Sequence, residues 1–145
     1  MPGAVKKKRI WQRIEPVRGD HIRVRRFLYY HHGVYISDKE VIHFNTPGKG
    51  DGLLGDAEVI ATSLKEFLEL GLCEVRQYNS SLLEKSLPTD TVVKRARSRL
   101  GESGYSIVFN NCEHFARWCK VGIHRSIQAE NVALFILKLF LKKVC

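Results

Sequence analysis

The chain has 145 residues, a length typical of one domain, and 44% of them are hydrophobic and 27% charged. This ordinary globular composition argues against a disordered or fibrous protein. The 24 Lys and Arg outnumber the 15 Asp and Glu and give a net charge of +9, which favours acidic partners such as anionic lipid, nucleic acid or acidic proteins. No run of about 18 apolar residues occurs, so no transmembrane helix is expected.

The first 15 residues are predicted to form a basic flexible arm that contains the charge block Lys6-Lys7-Lys8-Arg9. A folded domain is expected over residues 16–125, followed by an amphipathic helix over 126–145. No apolar run follows the basic start, so we expect no secretory leader. An intracellular protein, cytoplasmic or peripherally bound to a membrane, with reduced cysteines is therefore predicted.

Three stretches near the start of the domain have the pattern of β-strands. His21 to Phe27 alternates apolar and basic residues, which predicts a strand with one solvated face. The runs 31–36 and 41–44 flank the polar cluster Ser37-Asp38-Lys39 and predict a hairpin. Residues 45–56 carry four glycines and a proline, which indicates a long loop of the kind that is often functional.

Three helices with recognisable ends follow, so the pattern favours an α+β domain. The first begins at the capping box Ser63-Leu64-Lys65-Glu66 and stops at Gly71. After a possible strand over 73–78, the second runs from 89–91 to 101. The third runs from about Cys112 to Val121, with Asn110 or Asn111 as its N-cap.

Cys112 is the first candidate for chemistry because of its place at the start of the third helix. The unpaired N–H groups there carry a partial positive charge, which lowers the pKa of a thiol and makes the nucleophilic thiolate more available. The same groups can hold a developing oxyanion. The alternative is a buried structural cysteine, as we expect for Cys73 and Cys119.

The hairpin decides which histidine joins His43. With a turn of two or four residues, Ile36 faces Val41 and His32 shares a face with His43. With the three-residue loop 37–39, His43 lies opposite Gly33 and His31 is on its face, as a diagonal neighbour about 7–8 Å away. A bulged three-residue loop also requires a positive φ, at a cost of about 1 kcal/mol for lysine. Spacing alone leaves both registers open.

Other interpretations of these residues concern metals and the remaining histidines. Two histidines and Cys112 could supply three zinc ligands, yet the close spacings of common zinc sites are absent, so no metal or cofactor is expected. His114 points about 200° away from Cys112 around the helix axis, and a structural hydrogen bond is its expected role. No nucleic-acid recognition motif occurs, and the oligomeric state stays open.

The end of the chain is predicted to contact a membrane. Residues 132–141 are apolar except for Lys138, and two lysines follow. A helix of this length covers roughly 15 Å, about half of a bilayer core. One interpretation is peripheral membrane contact through 131–145, with snorkelling lysines. The other is packing of this helix on its own domain or on a partner.

Several segments together resemble the lecithin:retinol acyltransferase family, which includes small phospholipase/acyltransferases. The run Asn110 to Phe115 resembles the N-C-E-H-F signature of that family, and 31–36 resembles its H-x-G-I-Y box. Residues 41–44 resemble the second-histidine motif, twelve residues after the first, and Gly19-Asp20 resembles the opening G-D. The continuation 118–120 is more similar to bacterial or viral members.

The resemblance implies a permuted papain-like α+β fold, in which a small antiparallel sheet packs against helices, and a Cys-His-His triad. Carried over by position, Cys112 is the nucleophile, His31 the general base and acid, and His43 the group that orients His31. Asn111 would support the oxyanion or cap the helix, and His32 and His114 would be neighbours. The family often has Gly-Asp-Gly in the hairpin turn, where this chain has Ser-Asp-Lys.

The implied function is a thiol-dependent lipid acyl hydrolase or acyltransferase that acts on a phospholipid or another acyl ester through an acyl-cysteine intermediate. A non-catalytic interaction module with the same histidine and Asn-Cys boxes is one alternative. A cysteine amidase or peptidase is another, because one scaffold can serve several carbonyl substrates.

Overall fold

The computed structural model describes residues 9–27, 29–45, 56–79, 85–102, 105–106 and 111–122. Within these ranges the chain is α+β, as predicted. The strands are β1 (Trp11–Gln12), β2 (Asp20–Arg25), β3 (Tyr30–Ser37), β4 (Glu40–Asn45), β5 (Asp56–Thr62), β6 (Glu74–Arg76) and β7 (Tyr105–Ser106). The helices are α1 (Leu64–Leu68), α2 (Thr89–Ser98) and α3 (Asn111–Val121).

The strands of the described part form one antiparallel sheet in the order β1-β6-β2-β3-β4-β5-β7. The predicted strand at 21–27 and the predicted hairpin are present as β2, β3 and β4. Ile22 and Val24 are fully buried, as the alternation predicts, but the solvated face predicted for β2 is only partly present, because Arg25 is exposed while Arg23 is half-buried and His21 is buried. The sequence did not predict β1, β5 or β7.

Two hydrophobic layers cover the two faces of the sheet. One layer packs α2 and α3 on Val34 and Ile42, and it contains the fully buried Cys119, which we expected in the core. The other layer packs Phe67 of α1 on Val24 and its neighbours in β2 and β4. Because successive strand residues point to opposite faces, adjacent histidines of β3 belong to different layers.

The β3–β4 hairpin combines features of both predicted registers. Gly33 pairs with His43, and Ser37 pairs with Glu40, so the turn itself has only two residues. Between these two pairings, Ile36 is an extra residue in β3 and shifts the register by one. The residues before Ile36 therefore pair with β4 as they would with the three-residue loop. The strain expected at Lys39 is therefore absent: among the described residues, the non-glycine residues with positive φ are Glu69 and Leu70.

Helix α1 begins as predicted and ends earlier. The Ser63 hydroxyl accepts a hydrogen bond from the Glu66 amide at 3.1 Å, and the Glu66 carboxylate accepts one from the Ser63 amide at 3.0 Å. The helix stops at Leu68, and Glu69 and Leu70 adopt left-handed conformations with φ of 46° and 69°. Gly71 serves close packing, because a Cβ there would lie 2.4 Å from Val24 Cγ2.

The segment predicted as a basic arm, residues 1–15, contains a short strand of the sheet. Trp11 and Gln12 pair with Arg76 and Val75 of β6 and form an edge of the sheet. The Trp11 ring packs edge-on against the rings of His21 and His32. Residues 1–8 and the predicted helix over 126–145 lie outside the described residues. Within the described ranges, no helix is both long and apolar enough to cross a membrane.

Candidate active site

The hairpin brings His31 and His43 together on the sheet face that α1 covers. His31 Nε2 lies 2.9 Å from His43 Nδ1, and the two rings are nearly perpendicular, with centroids 4.9 Å apart. Both rings contact the Phe67 ring, with centroids 5.1 Å apart in each case. Gly33 allows this packing, because a Cβ there would lie 2.9 Å from Phe67 Cε2 and 3.3 Å from His43 Cβ.

Thr62 extends the pair into a hydrogen-bonded chain that assigns the tautomers. Its hydroxyl donates to the Ser63 carbonyl at 3.2 Å, so the same oxygen accepts from His43 Nε2–H at 2.9 Å. His43 Nδ1 must then be an acceptor, and it accepts from His31 Nε2–H. This assignment leaves the Nδ1 lone pair of His31 as the position where the imidazole can take a proton.

We expect Thr62→Val to disturb this series of hydrogen bonds while leaving the shape of the site intact. The His43 Nε2–H would lose its acceptor in a buried position, which lowers the free energy of unfolding by about 1–3 kcal/mol. Chemical denaturation and ¹⁵N chemical shifts of the imidazoles would measure the loss and the change in tautomer. Thr62→Ser, which keeps the hydroxyl, is the matched control and should retain the wild-type shifts. Unchanged shifts in Thr62→Val would contradict the assignment.

Burial keeps both imidazoles neutral at pH 7. Desolvation, with further contributions from His43 and Arg26, holds the pKa of His31 well below its ordinary 6.5. Desolvation also lowers the pKa of His43 to about 4, and the Phe44 backbone opposes that shift. A neutral His31 can accept a proton, which is the state that a general base requires.

Cys112 lies in the first turn of α3, against the strand that carries His31. Its thiol donates to the Tyr30 carbonyl over 3.9 Å, one residue before His31 along β3. The lowered pKa that we predicted for this thiol is wrong in direction. Burial raises the pKa of Cys112 to about 11, and hydrogen bonds with the backbone of His32 and Glu113 offset this only in part. The thiol is therefore protonated at pH 7, and a nucleophilic role needs a base nearby.

The other predicted site residues lie in different places. His32 points to the opposite face of β3 from His31, where its Nδ1 is 2.8 Å from His21 Nε2 and its Nε2 is 3.9 Å from Glu113 Oε2. Asn111 is the first residue of α3, and residues 107–110 lie outside the described part. The roles predicted for Asn111 and His114 stay predictions. Among the described side chains, no group of three His, Cys, Asp or Glu could hold a metal ion.

Sequence reasoning missed Thr62 because it missed β5. The β-branched residues Val59, Ile60 and Thr62 were a signal for a strand, but no element was predicted between the loop at 45–56 and the capping box at Ser63. With β5 in place, Thr62 pairs with Val41 next to His43. Thr62 could have been identified as a polar residue at the end of a β-branched run that pairs with the strand carrying His43.

Four buried histidines should make the protein sensitive to acid. The pKa values of His21 and His31 are well below 6.5, and those of His32 and His43 are lowered to about 3 and 4, in each case mainly by burial. Below pH 6.5 the unfolded chain binds protons that the folded chain does not. The stability that these groups contribute is thus full above pH 6.5 and falls towards pH 4, by about 1.4 kcal/mol per pH unit for each histidine.

Urea denaturation between pH 7.5 and 4.5 would measure this slope. His43→Gln should reduce the slope by about one proton, because one of the buried groups no longer titrates. A free energy of unfolding that stays constant from pH 7.5 to 5 would contradict the burial of neutral imidazoles.

Comparison with known proteins agrees with this architecture. The family model described as lecithin retinol acyltransferase matches residues 14–125. Lecithin retinol acyltransferase of Mus musculus is 31% identical over 150 residues, which cover 89% of this chain and 64% of that protein. Phospholipase A and acyltransferase 4 of Homo sapiens is 34% identical over 128 residues, which cover 81% of this chain and 77% of that protein. The chain spans slightly less than two thirds of the length of the lecithin retinol acyltransferases that it matches. It belongs to the lecithin retinol acyltransferase family.

Proposed function

We propose that this chain is a thiol-dependent acyl hydrolase or acyltransferase that acts on phospholipids. Cys112 is the nucleophile, His31 the general base and acid, and His43 the residue that orients His31. The observation that carries the proposal is the series of hydrogen bonds from Thr62 through His43 to His31. These bonds hold the His31 imidazole in the tautomer that a general base needs. Cys112 lies against the adjoining residue of the same strand.

The reaction follows from these assignments. As Cys112 Sγ attacks the ester carbonyl, its proton passes to His31 Nδ1, and the N–H groups at the start of α3 stabilise the oxyanion. His31 then protonates the leaving alcohol oxygen, and the C–O bond breaks to leave an acyl-Cys112 thioester. Water or an acceptor alcohol or amine next gives a proton to His31 and attacks the thioester carbonyl. The C–S bond then breaks, His31 returns the proton to Cys112 Sγ, and the acyl group is released or transferred.

The relatives support this class of substrate. Their names combine acyl transfer from lecithin with phospholipase A activity, and both activities cleave a carboxylic ester of a phospholipid. For this chain we propose the same bond, with Asn111 supporting the oxyanion. A permuted papain-like arrangement of strands and helices would accommodate the cysteine helix beside the histidine strands.

The mass of the intact protein after incubation with phosphatidylcholine vesicles tests the proposal. We expect an increase equal to one fatty-acyl group, removed by neutral hydroxylamine and absent in Cys112→Ala. Free fatty acid and lysolipid are assayed in the same tube, because fast deacylation would hide the adduct. Absence of adduct, fatty acid and lysolipid would overturn the proposal.

A non-catalytic interaction module is the second candidate function. The raised pKa of Cys112 favours it, since a protonated buried thiol is unreactive without a base. The vesicle experiment separates the two, because a binding module would release no lipid product.

We also propose that the protein contacts a membrane peripherally. In addition to the predicted segment 131–145, the described part has an apolar rim made of Phe27, Leu70 and Leu72, which are 85%, 100% and 63% exposed. Arg26 joins the two chain segments of this rim by donating to the Phe67 carbonyl at 2.7 Å. The exposed Arg25 adds a cation that suits anionic lipid. The rim borders α1, on the side of the sheet that holds the two histidines.

Leu70→Asn tests this rim. Leucine at positive φ costs about 1 kcal/mol, whereas asparagine tolerates the left-handed conformation, so the variant should be more stable by about 0.5–1 kcal/mol. The same variant should bind anionic vesicles about 10- to 100-fold more weakly, because an inserted leucine side chain contributes about 1.5–3 kcal/mol. Thermal denaturation and vesicle sedimentation would measure the two effects. Val17→Asn, at the other end of β2 and 65% exposed, is the control, and equal binding losses in both variants would contradict the rim.

A further inference from the structure

A second polar site lies on the face of the sheet opposite the His31–His43 pair. It is a pocket of about 180 Å³ whose wall includes Arg23, Arg76 and Arg117, together with Trp11, Tyr30 and His32. We call it the arginine pocket. Its residues come from β1, β2, β3, β6 and α3, so only the folded chain brings them together. The proposed acyl-transfer steps use none of these side chains.

Aromatic rings hold two of the arginines in place. The Arg23 guanidinium carbon lies 4.1 Å from the Trp11 ring centroid and 3.7 Å from that of Tyr30, and its Nε donates to Glu74 at 3.2 Å. The guanidinium of Arg76 lies 5.0 Å from the Tyr78 ring centroid. A planar guanidinium that packs on a ring keeps its N–H groups in the plane and directed to the side, where they can bind oxygen atoms.

The pocket is electropositive and largely withdrawn from solvent. Arg76 and Arg117 are 7% and 6% exposed, and Glu113 is the single carboxylate among the described residues of the pocket wall. His32 adds no positive charge, because burial, Arg23 and Arg76 together lower its pKa to about 3. Several buried guanidinium groups that converge on a pocket favour an oxyanion, and arginine suits phosphate because it can bind two oxygens at once.

Tyr30 connects the pocket with Cys112. Its ring forms part of the pocket wall, while its carbonyl is 3.9 Å from Cys112 Sγ. Glu113, also in the wall, follows Cys112 along α3. An ester held at Cys112 would therefore have its polar end beside the arginine pocket.

We propose that the arginine pocket binds a phosphate group, and that in the reaction this is the phosphodiester of the substrate headgroup. The proposal rests on the proposed function for its source of phosphate, and it makes Arg76 and Arg117 the determinants that separate phospholipids from neutral esters. The same site could bind free inorganic phosphate, so the experiment tests a phosphodiester and inorganic phosphate separately.

Binding is measured first, without turnover. The chain has two tryptophans, so Trp118→Phe leaves Trp11 in the pocket wall as the single fluorescent reporter. Glycerophosphocholine and inorganic phosphate are titrated separately. Arg76→Gln and Arg117→Gln should each weaken binding about 10- to 100-fold, because each removes a charged hydrogen bond. Arg97→Gln is the matched control, since that arginine is exposed and pairs with Glu40 at 2.8 Å.

The titration has defined outcomes. Tighter binding of glycerophosphocholine supports the headgroup as the ligand, and tighter binding of inorganic phosphate supports the phosphate site with a soluble source. No change in Trp11 fluorescence with either probe at millimolar concentration overturns the proposal. Equal affinities in the three glutamine variants and their parent also overturn it. If a glutamine variant fails to fold, the titration of the Trp118→Phe parent still shows whether the pocket binds phosphate.

Turnover then tests the role in specificity. With a short-chain phosphatidylcholine, Arg76→Gln should raise KM about tenfold or more, whereas kcat/KM for a short-chain diacylglycerol should stay within about twofold of wild type. Equal losses on both substrates overturn the specificity role. Inactivity of the wild type on both substrates with intact phosphate binding would instead point to a failure of the proposed acyl-transfer function.

Discussion

Cys112→Ala should abolish turnover of phospholipid, with a loss of about 10³-fold or more in kcat. The alanine lacks Cys112 Sγ, the atom that forms the acyl intermediate in the proposed mechanism and that lies 3.9 Å from the Tyr30 carbonyl. The loss should not come from unfolding, because replacing one buried cysteine by alanine changes the free energy of unfolding by only about 1–2 kcal/mol. Release of fatty acid, together with denaturation curves, measures both quantities.

Cys73→Ala is the matched control for this variant. Cys73 is a half-buried thiol whose pKa burial also raises to about 11, yet it packs with Phe67 and not with α3. Its replacement should leave kcat unchanged. Residual turnover above about one tenth of wild type in Cys112→Ala would remove this thiol from the mechanism.

His31→Gln should have the second largest effect, a fall of about 10²- to 10⁴-fold in kcat. Glutamine keeps a polar side chain of similar length but cannot take the proton of a thiol whose pKa is about 11. Because His31 and His43 both have lowered pKa values, no loss of activity from their protonation should occur near pH 6.5. Rates of release between pH 5 and 9 would check both statements.

The series His43→Gln and His31→Gln separates orientation from proton transfer. In the proposed mechanism His43 only positions His31, so the His43 variant should keep about 10- to 100-fold more turnover than His31→Gln. A His31→Gln enzyme with wild-type turnover would show that another base acts, and His32 is the next imidazole along β3. Equal losses in both variants would indicate that the pair transfers the proton as a unit.

Local rules predicted the parts of the structure that depend on neighbours in sequence. The capping box at Ser63 and Glu66 has the predicted hydrogen bonds, since its two partners are three residues apart. The hairpin was predicted from two β-type runs around a polar turn. Burial at Cys112 was not predictable in this way, because it depends on how α3 packs on β3, and it reverses the expected direction of the pKa shift.

Features that depend on distant strands were also missed. Thr62 reaches His43 only because β5 pairs with β4, and Trp11 reaches the arginine pocket only because β1 pairs with β6. Periodicity in one segment contains no information on these pairings, which depend on the whole sheet. The sequence could therefore identify the nucleophile and the histidines as candidates, but not the residues that support them.

The bulge at Ile36 has a consequence for how this hairpin can change during evolution or by design. Its extra residue sets which of two adjacent imidazoles shares a face with His43. Deleting one residue there would turn His31 away and bring His32 to that face, with every side chain of the proposed mechanism still present in the sequence. Substitutions in the turn should thus be tolerated much more readily than insertions or deletions of a single residue. The feature under constraint in this turn is its length.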